Sequence, residues 1–198
     1  MDIEIFKASL FSLIILLVAW AWILKYGTLR KARRYSEGRE PVAKDERFKL
    51  LGKVIFVLMN AVTVASFWTS SAAFLLLWRD DRLRLSGMLI LVFATFLYVS
   101  SLRCLGDNYS PFFDSYLPLR IVTNGPYKYV RHPIYLANIL LATGFFLASG
   151  SLWIVVFGGY GVFKMIRAML NEEASLTKTF PAYRAHQKKT ARLIPFIY

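Results

Sequence analysis

Long apolar blocks constrain this chain more than any other feature. Residues 6–26 read FKASLFSLIILLVAWAWILKY, with charge only near the two ends. A bilayer core takes roughly 20 apolar residues per spanning helix. Comparable blocks recur at 54–78, 85–102, 133–149 and 152–169. A soluble domain spaces its apolar residues at helix or strand period instead. With 57% hydrophobic residues in 198 and a mean hydropathy of +0.45, the chain reads as an all-α integral membrane protein of about five transmembrane helices. The acidic start, MDIEIFK, lacks the basic region of a cleaved signal, so the first block is expected to be a retained span.

The net charge of +13 admits two explanations, a nucleic-acid-binding face or the cytoplasmic loops of a membrane protein. The position of the charges decides between them. The first connection carries Arg30, Lys31, Arg33, Arg34, Arg39, Lys44, Arg47 and Lys49. The second, RDDRLR, mixes three arginines with two aspartates. The third carries Arg103, Arg120, Lys128 and Arg131, the fourth (ASGS) carries none, and the tail is basic from Lys164 to Arg192. Basic content alternates along the chain, which predicts the N-terminus outside and the C-terminus in the cytoplasm. No nucleic-acid partner is needed to explain the charge. The single cysteine, Cys104, allows no intrachain disulfide and no cysteine-based zinc site, and two histidines are too few for a His-rich metal site. Cys104 reads as an ordinary residue at a helix end.

The fourth and fifth blocks are joined by Ser149-Gly150-Ser151 and should form an antiparallel helical hairpin, with Pro133 in the first turn of the fourth helix. Gly158, Gly159 and Gly161 are expected to let α-helices approach closely, within the bundle or at a dimer seam. The connection 106–131 is long for a bundle, and such loops are usually functional. Its aromatics (Tyr109, Phe112, Phe113, Tyr116, Tyr127, Tyr129) need somewhere to pack. After Met169, the tail reads as a polar helix (NEEASLTKTFPAYRAHQKK) ending in the apolar RLIPFIY. We divide one structural domain into N-terminal helices (1–103) and a core (104–198) of loop, 133–169 hairpin and tail.

Two short stretches carry chemistry. GPYKYVRHPIY (125–135) sets Arg131, His132 and Tyr135 where a loop enters the membrane. Ionisable groups there need partners, though a snorkelling arginine and an interfacial tyrosine would also suit a membrane anchor. The second stretch is Glu172-Glu173, beyond the fifth block. Adjacent carboxylates point to different helix faces, so at most one faces a given site, and the pair also suits a solvated helix start. The hairpin alone separates the two stretches and returns Glu172 to the membrane face of His132. One cytoplasmic pocket then gathers a cation, an imidazole, phenols and a carboxylate beside an apolar cavity, which suits a zwitterionic or cationic ligand.

The sequence resembles the isoprenylcysteine carboxyl methyltransferases and their relatives, the phospholipid methyltransferases and bacterial members. The resemblance is carried by LGDNYS (105–110), IVTNGPYKYVRHPIY (121–135), EEASL (172–176), FPAY (180–183) and RLIP (192–195), in that order, over the C-terminal half. It implies an integral membrane methyltransferase that uses S-adenosyl-L-methionine and releases S-adenosyl-L-homocysteine. It assigns cofactor binding to Arg120, Ile121, Val122, Tyr127, His132, Pro133, Ile134, Tyr135 and Glu172. It implies a lipid or prenylated acceptor drawn from the bilayer, most simply a carboxylate. In isoprenylcysteine enzymes an arginine four residues before the first glutamate orients that carboxylate. Here the position is Ala168, and Arg167 is the neighbour taken as the catalytic cation beside Glu172. Five residues turn a helical side chain about 140° away, so Arg167 needs a local bulge to face the site; otherwise Arg131, Arg184 or Lys164 would substitute for it. An amine acceptor would instead need a base, with Glu172, Glu173 and His132 as candidates. An NADPH-dependent sterol reductase and a non-catalytic lipid-binding scaffold are the other classes. In a bacterium the plasma membrane is the expected location.

Overall fold

A backbone removed from water must satisfy its own N–H and C=O groups, and the apolar blocks do so as helices. The computed structural model describes residues 3–34, 41–44, 46–68, 76–111 and 114–194. In chain order these form α1 (Ile3–Arg34), β1 (Pro41–Lys44), α2 (Glu46–Trp68), α3 (Asp81–Leu105), β2 (Asp114–Tyr116), α4 (Pro133–Ser149), α5 (Leu152–Thr179) and α6 (Pro181–Lys189). Short 3-10 turns occupy Gly106–Asn108 and Gly125–Lys128. Residues 69–75 of the second block, Arg39, Phe112, Phe113 and Pro195 lie outside the described residues.

Local chemistry sets the helix ends. Asp80 caps α3, its carboxylate accepting from the N–H groups of Arg82 (2.8 Å) and Leu83 (3.0 Å). Pro133 opens α4 and Gly150 follows its last residue. The hairpin forms with the expected bounds for its first helix. Its second helix does not stop at residue 169. Nothing between Met169 and Thr179 breaks a helix, so α5 continues until Phe180 takes the extended backbone favoured before Pro181. The two glutamates therefore ride on the end of α5 itself, and α6 is a separate short helix. The fold also carries one small element outside the all-α expectation. Strands β1 and β2 pair antiparallel, Ala43 opposite Ser115, tying the first long connection to the third.

Helix packing relies on glycine at one crossing in particular. A Cβ on Gly87 of α3 would sit 2.8 Å from the Gly144 carbonyl of α4, and one on Gly144 would sit 2.9 Å from Leu91 Cγ. The two backbones nearly touch, which only small residues permit. Gly159 and Gly161 behave differently, since a Cβ on either would meet nothing within 4 Å. The close approach expected of those two glycines belongs to Gly87 and Gly144. Around this crossing Phe11, Val18, Leu91, Phe145 and Ile154 are buried together.

The outward faces are apolar too. Leu85, Leu89, Phe93 and Phe96 form one exposed stripe on α3, with Phe96 at 74% exposure, while Met88, Leu91 and Tyr98 face inward. Such a surface is stable against hydrocarbon and unfavourable against water. Asp81–Asn108 and Leu152–Thr179 are long and apolar enough to cross a bilayer. Leu10–Lys25 and Pro133–Ser149 are shorter apolar helices.

Candidate active site

The connection after α3 is shaped to line a cavity. Asn108 is buried, and its side-chain oxygen accepts from the N–H groups of Leu119 (2.8 Å) and Arg120 (3.3 Å). This pins the start of the Arg120–Val122 stretch. Gly125 turns the chain with φ +56, and a Cβ there would lie 2.5 Å from Cys104 Sγ. Any larger residue would be strained at this φ and would crowd the Cys104 side chain. That turn places the Tyr127 ring in the interior, where burial and then the Glu172 carboxylate hold its phenol well above its usual pKa.

The RH pair and the end of α5 are joined by a buried ion cluster. Glu173 accepts from Arg131 Nε at 2.8 Å, from His132 Nε2 at 3.2 Å and from Arg192 Nε at 2.9 Å. Arg131 also donates through Nη1 to the carbonyls of Gln187 and Thr190. The backbone reinforces the junction: Arg131 N–H donates to the Ala191 carbonyl (2.9 Å) and His132 N–H to that of Arg192 (3.2 Å). Leu193 is buried beside Tyr135, Met165 and Met169. The RLI segment thus clamps the start of α4 to the end of α5. A carboxylate can only accept, so the His132 nitrogen facing Glu173 carries a proton and cannot act as a base from that side.

Glu172, one residue earlier, lies a third of a turn away and faces the cavity. It is half-buried, and Tyr135 Oη donates to its Oε2 at 2.7 Å. The cavity measures about 470 Å³. Its polar end is lined by Arg120, Tyr127, Arg131, Tyr135, Glu172 and Tyr183. From there it runs between α4 and α5, past Leu141, Phe145, Phe157, Gly161 and Met165, and reaches Ile55 and Phe56 of α2. Tyr183 and His186 contribute from α6, their rings 6.2 Å apart. Burial, then the charge of Arg131, lowers the His186 pKa and favours its neutral form.

Of the residues singled out in the sequence, Arg120, Ile121, Val122, Tyr127, His132, Ile134, Tyr135 and Glu172 come together on this cavity. Pro133 is buried behind the wall. Arg167 does not join them: it is exposed, with its guanidinium 5.9 Å from the Phe163 ring centre. Helix α5 runs unbroken through this region, so the five-residue offset holds and Arg167 points away. Lys164 and Arg184 do not line the cavity either, whereas Arg131 does. Asn108, Arg192 and Tyr183 were not singled out in the sequence, and Glu173 was named there only as a candidate base, not as the centre of an ion cluster. Each sits inside a quoted motif, but what it touches is distant in sequence.

No curated protein sequence matches the chain. A family model described as phospholipid methyltransferase matches residues 83–182, from the start of α3 through the hairpin and both glutamates to the start of α6. Together with the apolar outward faces, this makes the chain a membrane protein and a member of the phospholipid methyltransferase family.

Proposed function

We propose that the protein transfers a methyl group from S-adenosyl-L-methionine to a lipid-like acceptor held in the membrane, at a cytoplasmic active site within a five-span, N-terminus-out bundle. The observation that carries this reading is one continuous cavity, polar around Glu172 and apolar between α4 and α5. The donor set fits the cofactor. A carboxylate and phenol faces suit a cationic sulfonium and an ammonium, and the backbone held by Asn108 offers polar groups to an adenosine. When bound, the cofactor supplies an electrophilic methyl and leaves as S-adenosyl-L-homocysteine. The chain's own residues bind, align and exclude water.

The geometry favours an amine-bearing headgroup over the carboxylate implied by the isoprenylcysteine resemblance. Arg167 faces away, and a carboxylate acceptor beside Glu172 would meet like charge. An amine must lose a proton, and Glu172 is the candidate base whose carboxylate faces the cavity without being taken up by the arginine cluster. His132 Nε2 is turned to Glu173, and both Glu173 oxygens accept from arginines. Carboxyl O-methylation is the second reading, favoured by Lys25, Lys53 and Arg120 on the same cavity wall. The test is methyl transfer from radiolabelled cofactor into vesicles containing phosphatidylethanolamine, beside a prenylcysteine analogue. Label in the phospholipid, lost in Glu172→Gln, supports the amine reading. Label only in the prenylcysteine reverses the order. No label in either, with no binding of S-adenosyl-L-homocysteine, refutes the methyltransferase reading.

A further inference from the structure

One buried polar group on the cavity wall is left without a partner. Tyr183 is 3% exposed, and its hydroxyl meets no hydrogen-bond partner among the described residues. Leaving such a group unsatisfied is unfavourable, so native structures that retain one usually have a use for it. Tyr183 lines the polar end of the cavity together with Arg131 and His186. Phe180 and Pro181 set the start of α6 and so deliver the ring to this wall.

The charges nearby specify what the hydroxyl can meet. Arg131 meets Glu173 through Nε and also lines the cavity, so it brings positive charge to this end. Glu172 holds a negative charge farther along the wall, beside Tyr135. Burial, then the two glutamates, raises the Tyr183 phenol pKa despite both arginines, so the group stays protonated and acts as a donor. A zwitterion entering this end is oriented by that field, with its ammonium toward Glu172 and its carboxylate toward Arg131 and Tyr183.

Resting on the cofactor reading above, we infer that Tyr183 is a cofactor-binding residue whose hydroxyl donates a hydrogen bond to the carboxylate of the amino-acid arm of S-adenosyl-L-methionine. The inference separates Tyr183 from a packing residue by the sign of two effects. In the unliganded protein, Tyr183→Phe removes an unsatisfied buried hydroxyl and keeps the ring, so stability is unchanged or rises. In the liganded protein the same change removes a charge-assisted bond, which weakens binding about tenfold.

The experiment is calorimetric titration of wild type and Tyr183→Phe in detergent, with S-adenosyl-L-homocysteine and with 5′-methylthioadenosine, which lacks the amino-acid arm. Thermal unfolding of both unliganded proteins accompanies it. The expected result is about a tenfold rise in Kd for S-adenosyl-L-homocysteine, no change for 5′-methylthioadenosine, and an unliganded Tm no lower than wild type. Equal losses for both ligands would move the contact to the adenosine and overturn the assignment. Unchanged binding of S-adenosyl-L-homocysteine would overturn it while leaving the methyltransferase reading standing. A fall in the unliganded Tm would reveal a structural partner and overturn it as well. Wild type that binds neither ligand defeats the cofactor reading itself.

Discussion

Replacing Glu173 by glutamine isolates the brace behind the site. The carboxylate is buried and accepts from three side chains at 2.8–3.2 Å. An amide keeps the shape but turns one acceptor into a donor facing other donors, and removes the negative charge that both guanidiniums meet. Removing one partner of a fully buried ion pair costs about 3–5 kcal/mol. Arg131 is 10% exposed and falls in that regime, while Arg192 at 25% recovers part of its loss in water. We therefore expect Glu173→Gln to destabilise the fold by about 2–4 kcal/mol. For a chain of this length that is a Tm lower by roughly 5–12 °C. Glu172→Gln is the contrast, because that side chain is half-buried and accepts a hydrogen bond from Tyr135. It should shift Tm by no more than about a third as much and abolish methyl transfer. The assay is thermal unfolding in one detergent, with ligand titration on the same samples. A Tm for Glu173→Gln within about 1 °C of wild type would refute the argument that this cluster holds α4, α5 and the RLI segment together.

Gly161→Leu should leave S-adenosyl-L-homocysteine binding intact and cut transfer to a long-chain acceptor at least about tenfold. A side chain there enters open space on the apolar arm of the cavity, so unchanged acceptor kinetics would count against that arm as the acceptor site. Gly87→Ala should lose about 1–3 kcal/mol, read by thermal unfolding, because its Cβ meets α4 backbone rather than a movable side chain. The lowered His186 pKa sets a sign for acid sensitivity. The folded state resists protonation, so the unfolded state binds more protons once pH falls below the ordinary value of 6.5. Stability should therefore decline below that pH, and His186→Gln should lose less of it than wild type when unfolding is followed across this range.

Much of the architecture could be read along the chain, because it is local. Apolar blocks of spanning length, Pro133 at a helix start and Gly150 at a helix end determine a hairpin without reference to anything distant. The GPYKYVRHPIY and EEASL stretches carried the site for a similar reason: one hairpin returns the second to the first. Arg167, taken from the sequence as the catalytic cation on a local bulge, points away from the cavity because α5 runs unbroken and keeps the five-residue offset.

Tertiary structure decided which carboxylate does what. Adjacent glutamates differ by about 100° of rotation, and nothing in EEASL says which side meets the cavity and which meets the arginines. That depended on the RLI segment lying beside residues 129–132 and bringing Arg192 onto Glu173. The same holds for Gly87 against Gly144, for β1 against β2, and for the unpartnered hydroxyl of Tyr183. Sequence periodicity determines which face of a helix is apolar or polar. Which distant group fills that face is set only when the whole chain packs, because charge pairing and close backbone contact act through space and not along the sequence.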